Sequence, residues 1–161
     1  MSKDLEDRAI AEAPIKSKTF EDRIVERLLI CANEYVATAK SEITSERQLV
    51  GAIAAFLHKE EPSLEVNVEQ RIDEESDRSY FVDIVISNTA SSKIMIEVKT
   101  ADDHEAVRNG SMRLKRYMDI AKLHTGILFL LDHKNDSYND TMIEGADGRT
   151  IHVIAAKPKS M

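Results

Sequence analysis

Two apolar, β-branched stretches dominate the middle of the chain. The first runs from Tyr80 to Ile86 and the second from Lys93 to Thr100, with the polar segment 87–92 between them. β-branched residues favour strands, and a short polar cluster between two such runs favours a turn. The pattern therefore predicts a β-hairpin at the centre of the fold.

Three charged side chains interrupt these runs. Because side chains alternate between the faces of a strand, Glu97 and Lys99 should share one face, and Asp83 should point away from Val82 and Ile84. Burying such charges is costly unless they are paired or bind a cation. Two carboxylates on adjacent strands would supply oxygen ligands for Mg²⁺ or Mn²⁺, with a lysine to orient a water. The plain alternative is an ion pair of Glu97 with Lys99 at a sheet edge, with Asp83 in solvent.

Apolar residues recur at helical spacing before the hairpin. Thr19 is a candidate N-cap of a first amphipathic helix that extends to about Lys40, and Thr44 or Ser45 begins a second helix. Residues 64–72 alternate between apolar and polar, which predicts a half-buried strand ahead of the hairpin.

After the hairpin the pattern predicts a helix and two further strands. Asn109–Gly110 is a strong turn signal, and a helix should follow it from Ser111 to about His124. The apolar run Gly126–Leu131 is typical of a strand buried on both faces. Residues 132–148 are polar and loop-like, and residues 151–154 predict a short last strand.

Composition is typical of one soluble globular domain: 161 residues, 42% hydrophobic and 32% charged. The charged first residues predict a flexible arm over 1–18, followed by a single domain over 19–161. No apolar run is long enough to cross a bilayer, and no signal-peptide core is visible. The single cysteine, Cys31, excludes an internal disulfide framework, so we expect a cytoplasmic protein without a membrane partner.

The net charge of −7 is unfavourable for binding a phosphate backbone, but the charges are unevenly distributed. Residues 60–78 contain eight acids and two bases, whereas residues 105–123 contain five bases and two acids. Such asymmetry allows an acidic protein to present a local basic surface.

Asp83, followed on the next strand by Glu97-Val98-Lys99, resembles the motif of the PD-(D/E)XK nuclease superfamily, also called the restriction-endonuclease-like fold. Val82 stands where that motif has a proline. The predicted order of elements over about 44–156 is also similar to the superfamily's α-β-β-β-α-β core. The resemblance implies an α/β fold in which helices flank a mixed sheet, with an extra N-terminal helix here.

By this resemblance the protein would be a metal-dependent deoxyribonuclease, an endonuclease hydrolysing phosphodiester bonds in DNA with Mg²⁺ or Mn²⁺. Asp83, Glu97 and the Val98 carbonyl would bind the metal, and Lys99 would orient the attacking water. A helix just before the first strand often carries a glutamate that reaches this site, and Glu46 is the candidate. The alternative is that Glu46 is an ordinary acid in the first turn of a helix, where it favours the dipole.

Residues 112–118 resemble the helix that follows the catalytic lysine in many of these nucleases. A glutamine often stands at the position of Arg113, four residues before a tyrosine. Arg113, Lys115 and Arg116 are the candidate phosphate-binding residues. On the other interpretation they form the solvated face of an amphipathic helix.

Two other functions fit the same sequence. The chain could be a catalytically inactive module of the same fold that binds nucleic acid or assembles with proteins, or an unrelated α/β interaction domain. Because cutting both strands of a duplex takes two sites, a homodimer or a protein partner is also an expectation.

Overall fold

The computed structural model describes residues 19–36, 43, 45–73, 79–100, 104–131, 141–144 and 148–156. The predicted arm over 1–18 and the predicted end of the first helix near Lys40 lie outside these residues. No helix in the described ranges is long and apolar enough to span a bilayer.

Helices pack on both faces of a central sheet. The helices are α1 (Phe20–Ile30, continued by a π-helical segment Cys31–Val36), α2 (Glu46–Glu60) and α3 (His104–Ala121). Thr19 caps α1 and Ser45 caps α2, each accepting a hydrogen bond from the backbone N–H three residues on. Both predicted helix starts are therefore confirmed.

The sheet has six strands in the order β1-β2-β3-β4-β6-β5. They are β1 (Glu65–Asp73), β2 (Ser79–Ser87), β3 (Lys93–Lys99), β4 (Thr125–Leu131), β5 (Thr141–Glu144) and β6 (Thr150–Ala156). β1, β2 and β3 form an antiparallel meander, whereas β4 is parallel to both β3 and β6. The helix α3 makes the crossover from β3 to β4, which is how a parallel neighbour is reached. The predicted α/β fold, with a mixed sheet between helices and an α-β-β-β-α-β core, is confirmed.

Each face of the sheet has its own apolar core. On one face α1, its π-helical continuation and α2 bury Ile84, Ile96 and Phe129. On the other face α3 packs Leu114, Tyr117 and Met118 against residues such as Leu128. The buried Cys31 belongs to the first core, where burial raises the pKa of its thiol to about 12, so it is a packing residue. β3 and β4 are therefore covered on both sides, as their apolar sequences predict.

Two predicted boundaries are wrong. The helix α3 begins at His104 rather than Ser111, so Asn109 and Gly110 lie inside it and not in a turn. Gly110 fits there because a Cβ at this position would lie 2.8 Å from Leu128 Cδ1, so the helix approaches β4 too closely for a larger residue. The loop predicted over 132–148 contains a strand, Thr141–Glu144, which pairs with β6 at the edge of the sheet.

Candidate active site

The candidate site lies where β2 and β3 separate. Their antiparallel pairing runs from Ser87↔Lys93 to Ile84↔Ile96 and ends there. Beyond that point the Val98 backbone N–H donates to Asp83 Oδ2 at 2.8 Å. The Asp83 carboxylate therefore occupies the opening between the strands and takes the hydrogen bond that a β2 carbonyl would otherwise accept.

Asp83 reaches this opening because β2 changes face at that residue. Val82 and Val85 both pack in the α3-side core, whereas Ile84 packs in the α2-side core. Asp83 cannot lie opposite both Val82 and Ile84, so the prediction from strict alternation is wrong. The irregularity extends to β1, where Glu69 has a positive φ of 54°. In the β1–β2 register Val68 pairs with Ile84 and Gln70 with Val82, and the intervening Glu69 and Asp83 do not pair.

Glu97 is the buried carboxylate of the site, and its side chain is accompanied by little neutralising charge. Glu97 is 1% exposed. Among the described residues, it is the charged residue that the fold buries. Arg113 Nε lies 3.4 Å from Glu97 Oε2, while Glu97 Oε1 is buried without a hydrogen-bond partner. A buried polar atom left unpaired costs about 1–3 kcal/mol, so this oxygen is suited to bind something further.

The ionisation of Glu97 reflects these surroundings. Desolvation raises the pKa of Glu97 to about 8, and the negative charge of the nearby Asp83 adds to the rise. Arg113 and Lys99 oppose the rise through their positive charge. Without a metal, Glu97 therefore keeps its proton at neutral pH. A bound cation would favour the charged carboxylate and so lower this pKa.

Lys99 projects to the same side of β3 as Glu97, as predicted. A Cβ built on Gly110 of α3 would lie 3.5 Å from Lys99 Cγ, so the lysine stem runs under the first turns of α3. The alternative of a Glu97–Lys99 pair at a sheet edge is wrong, because β3 lies between β2 and β4. Asp83 is half-buried rather than solvated.

The helix α3 contributes an arginine and tyrosine cluster beside the carboxylates. Arg113 Nε donates to Tyr117 Oη at 2.6 Å, and Arg116 donates to Tyr80 Oη at 2.7 Å. The Tyr80 and Tyr117 rings are 5.6 Å apart. Arg113 is thus a site residue that faces Glu97, rather than part of a purely solvated helix face. Lys115 is exposed on the same helix.

Sequence reasoning did not identify Gly110 or Tyr117 as residues of the site. A tyrosine four residues after Arg113 was visible in the sequence, but its apolar neighbours indicated a core position, which it also occupies at 3% exposed. Nothing in the sequence distinguishes Gly110 from a turn glycine, because the contact that requires it comes from β4.

Glu46 lies on the other side of Asp83, in a groove between α2 and β1. The groove has a volume of about 510 Å³ and is lined by Glu46, Arg47, Val50, Gly51, Val68, Glu69 and Asp83. Glu46 and Asp83 therefore line one groove, and a metal-binding role for Glu46 stays a prediction. In the ranges that the structure describes, no three acidic, histidine or cysteine side chains are close enough to hold a metal ion. Glu46 does not complete a direct triad with Asp83 and Glu97.

The residues present fit a hard divalent cation. Mg²⁺ is commonly bound by one or two carboxylates and keeps several waters or substrate oxygens in its other positions. Asp83 and the unpaired Glu97 Oε1 provide that donor set in the opening between β2 and β3. The Val98 carbonyl belongs to the same segment of β3 and stays a predicted ligand.

Comparison with known proteins adds little to this geometry. No protein-family model matches the chain, and no curated protein matches it. Among solved structures, it is similar to a chain in the refined half-complex from the tetradecameric assembly of Thermococcus gammatolerans McrB AAA+ hexamers with bound McrC. The identity is 14% and the TM-score 0.48, over 71% of this chain and 28% of the other.

Proposed function

We propose that this protein is a metal-dependent nuclease that hydrolyses phosphodiester bonds in DNA. The observation that carries the proposal is the buried Glu97 Oε1, which has no hydrogen-bond partner and belongs to a side chain close enough to Asp83 for the two charges to interact. The alternatives for such an atom are a cation or a proton. A cation would also remove the like-charge repulsion between Asp83 and Glu97.

In the proposed reaction, Asp83 and Glu97 hold Mg²⁺ or Mn²⁺, with the Val98 carbonyl as a third ligand. When bound there, the metal would supply a water of lowered pKa and would neutralise charge on the phosphate oxygens. The Val98 N–H keeps the Asp83 carboxylate in a fixed orientation through its 2.8 Å hydrogen bond. Lys99 orients the attacking water with its ammonium group and offsets the negative charge that builds up at phosphorus.

Arg113 has a positioning role in this scheme. Its contact with Glu97 lowers the pKa of that carboxyl group and so favours the charged form that binds metal. The hydrogen bond to Tyr117 Oη holds the guanidinium beside Glu97. An arginine at this position supplies a charge that a glutamine would not, and it can also meet a phosphate oxygen.

The test is a cleavage assay on linear, supercoiled and branched DNA and on RNA, with Mg²⁺, Mn²⁺ or excess chelator. We expect cleavage of DNA that requires the metal. Asp83→Asn and Lys99→Ala should each abolish or strongly reduce cleavage, whereas Glu65→Gln should not. Glu65 is an exposed acid at the far end of β1, so it controls for loss of one surface charge. Metal-independent cleavage, or full activity of Asp83→Asn, would refute the proposal.

A second candidate function is a catalytically inactive module that binds nucleic acid or a protein partner. The observation that favours it is the Arg113–Glu97 contact, since a guanidinium can compensate a buried carboxylate without any metal. Nucleic-acid binding by a wild type that neither cleaves nor binds Mg²⁺ would favour this alternative.

A further inference from the structure

Phe81 is an exposed aromatic side chain on the strand that carries Asp83. Its ring is 56% exposed, and its neighbours Tyr80 and Val82 both pack in the α3-side core, so Phe81 projects from the opposite face. The Tyr80 ring packs at a tilt of 46° against Tyr117, and the Arg116 guanidinium lies over it, so Tyr80 does not offer a free face. The exposed ring therefore offers an apolar aromatic surface on the strand that carries Asp83.

Phe81 is a close neighbour of Asp83 along β2, which it precedes by two residues. Val68, which is 47% exposed, flanks Asp83 on the other side and lines the groove shared by Asp83 and Arg47. The volume of that groove, about 510 Å³, is within the range of pockets that hold small organic groups.

The chemistry of this face selects the occupant. Glu46, Glu69 and Asp83 line the groove with one base, Arg47, so charge alone gives a phosphate backbone little attraction there. Every nucleobase has an apolar π-face that stacks on an aromatic ring whatever its sequence. Bases within a duplex are already stacked on one another, and only unpaired ones are available to the ring.

We propose that Phe81 is a stacking platform for an unpaired nucleobase, so that the site acts on single-stranded or locally unpaired nucleic acid. The inference rests on the proposed function, since it places the base next to the phosphate that a metal ion at Asp83 and Glu97 would bind. It goes further by naming the substrate class and the residue that selects it.

Phe81→Ala should weaken the binding of a single-stranded oligonucleotide by about 5- to 150-fold, the equivalent of roughly 1–3 kcal/mol per stacked base. The salt dependence should stay the same, because no phosphate contact is lost. Phe81→Leu should bind as weakly as Phe81→Ala, because leucine is apolar but has no π-face. Lys115→Gln on α3 is the matched contrast: if Lys115 meets a phosphate, the log–log salt slope should fall in magnitude by about 0.7.

Fluorescence of Phe81→Trp tests the contact directly, because the chain contains no tryptophan. Single-stranded DNA or RNA should quench this sole tryptophan, whereas an abasic strand of equal length should not, and an intact duplex should quench it less. The DNA and RNA arms show which sugar the site prefers. Ile30→Trp, at an exposed position of α1, is the control and should respond to none of them.

Absence of quenching by either single strand, or equal quenching by the abasic strand, would overturn the inference. So would wild-type affinity of Phe81→Ala for single strands. These readouts measure binding and need no turnover. Quenching without cleavage would leave the stacking platform standing and refute the hydrolase, whereas cleavage without quenching would do the reverse.

Discussion

Glu97 is the residue whose protonation state decides what the site can bind. Its pKa of about 8 in the folded protein compares with 4.5 for a carboxyl group in water. Between these two values the folded state keeps a proton that the unfolded state has released. The metal-free protein should therefore lose stability as pH rises through this window. The loss is about 1.4 kcal/mol for each unit by which the pKa of Glu97 in the folded state exceeds its pKa in the unfolded state.

Glu97→Gln should remove this pH dependence, because the amide is neutral at every pH and nearly isosteric. Denaturant unfolding of both proteins from pH 4.5 to 8.5 measures it, with Glu65→Gln as the control that keeps the wild-type slope. Mg²⁺ should act in the opposite direction, since it binds the carboxylate: its affinity should rise with pH through the same window, with release of a proton. Equal slopes for wild type and Glu97→Gln would contradict the burial argument.

Glu46 is the second residue whose role can be decided by substitution. If it reaches the metal across the groove that it shares with Asp83, Glu46→Gln should slow cleavage while the melting temperature stays nearly constant. If it is only a first-turn acid of α2, the same change should cost at most about 0.3–1 kcal/mol of stability and leave the rate unchanged. Rate and melting temperature measured on one preparation separate the two roles.

At the scale of elements, α3 approaches β4 closely at two glycines, Gly110 on the helix and Gly126 on the strand. A Cβ at Gly110 would lie 2.8 Å from Leu128 Cδ1 and 3.5 Å from Lys99 Cγ. Gly110→Ala should gain about 1 kcal/mol of helix propensity but lose roughly 1–3 kcal/mol to overpacking, so we expect no net stabilisation.

Gly51→Ala is the matched control for this prediction. Gly51 is likewise inside a helix, α2, but nothing lies within 4 Å of the added Cβ. It should stabilise the protein by up to about 1 kcal/mol. Thermal unfolding of the two variants measures the difference. Equal stabilisation of both would show that α3 does not contact Leu128 of β4 closely at Gly110.

At the scale of the whole molecule, the two carboxylates should couple metal binding to folding. Mg²⁺ or Mn²⁺ should bind the folded state in preference to the unfolded one and raise its melting temperature; at a hundred times the dissociation constant the gain is about 2.7 kcal/mol. Asp83→Asn should remove most of this response. Lys99→Ala should keep it while turnover falls, because the lysine is not a ligand. A wild type that melts at the same temperature with and without either metal would refute the metal site.

The whole molecule also brings opposite charges to the two sides of the site. The groove on the α2 side carries Glu46, Glu69 and Asp83 with one arginine, whereas the α3 side carries Arg113, Lys115 and Arg116. On the proposed function, a nucleic-acid backbone would be held from the α3 side, and the acidic groove would repel phosphates. An acidic protein can then bind an acidic polymer through one helix.

The sequence by itself determined the local structure where side-chain pattern and backbone chemistry agree. Apolar runs made β2, β3 and β4, and Thr19 and Ser45 capped their helices. The charges at Asp83, Glu97 and Lys99 stood out because they interrupt apolar strands. The order of elements then determined an α/β fold with a mixed sheet. These features depend on residues close together in the chain.

The tertiary structure alone decided what depends on distant residues. The separation of β2 from β3, the positive φ of Glu69 and the pairing of Arg113 with Glu97 join positions far apart in sequence. Likewise, α3 continues through Asn109–Gly110 because β4 packs against that glycine, and Thr141–Glu144 is a strand because β6 is there to pair with it. Propensity is a weak local preference, and packing and hydrogen bonding across the fold override it.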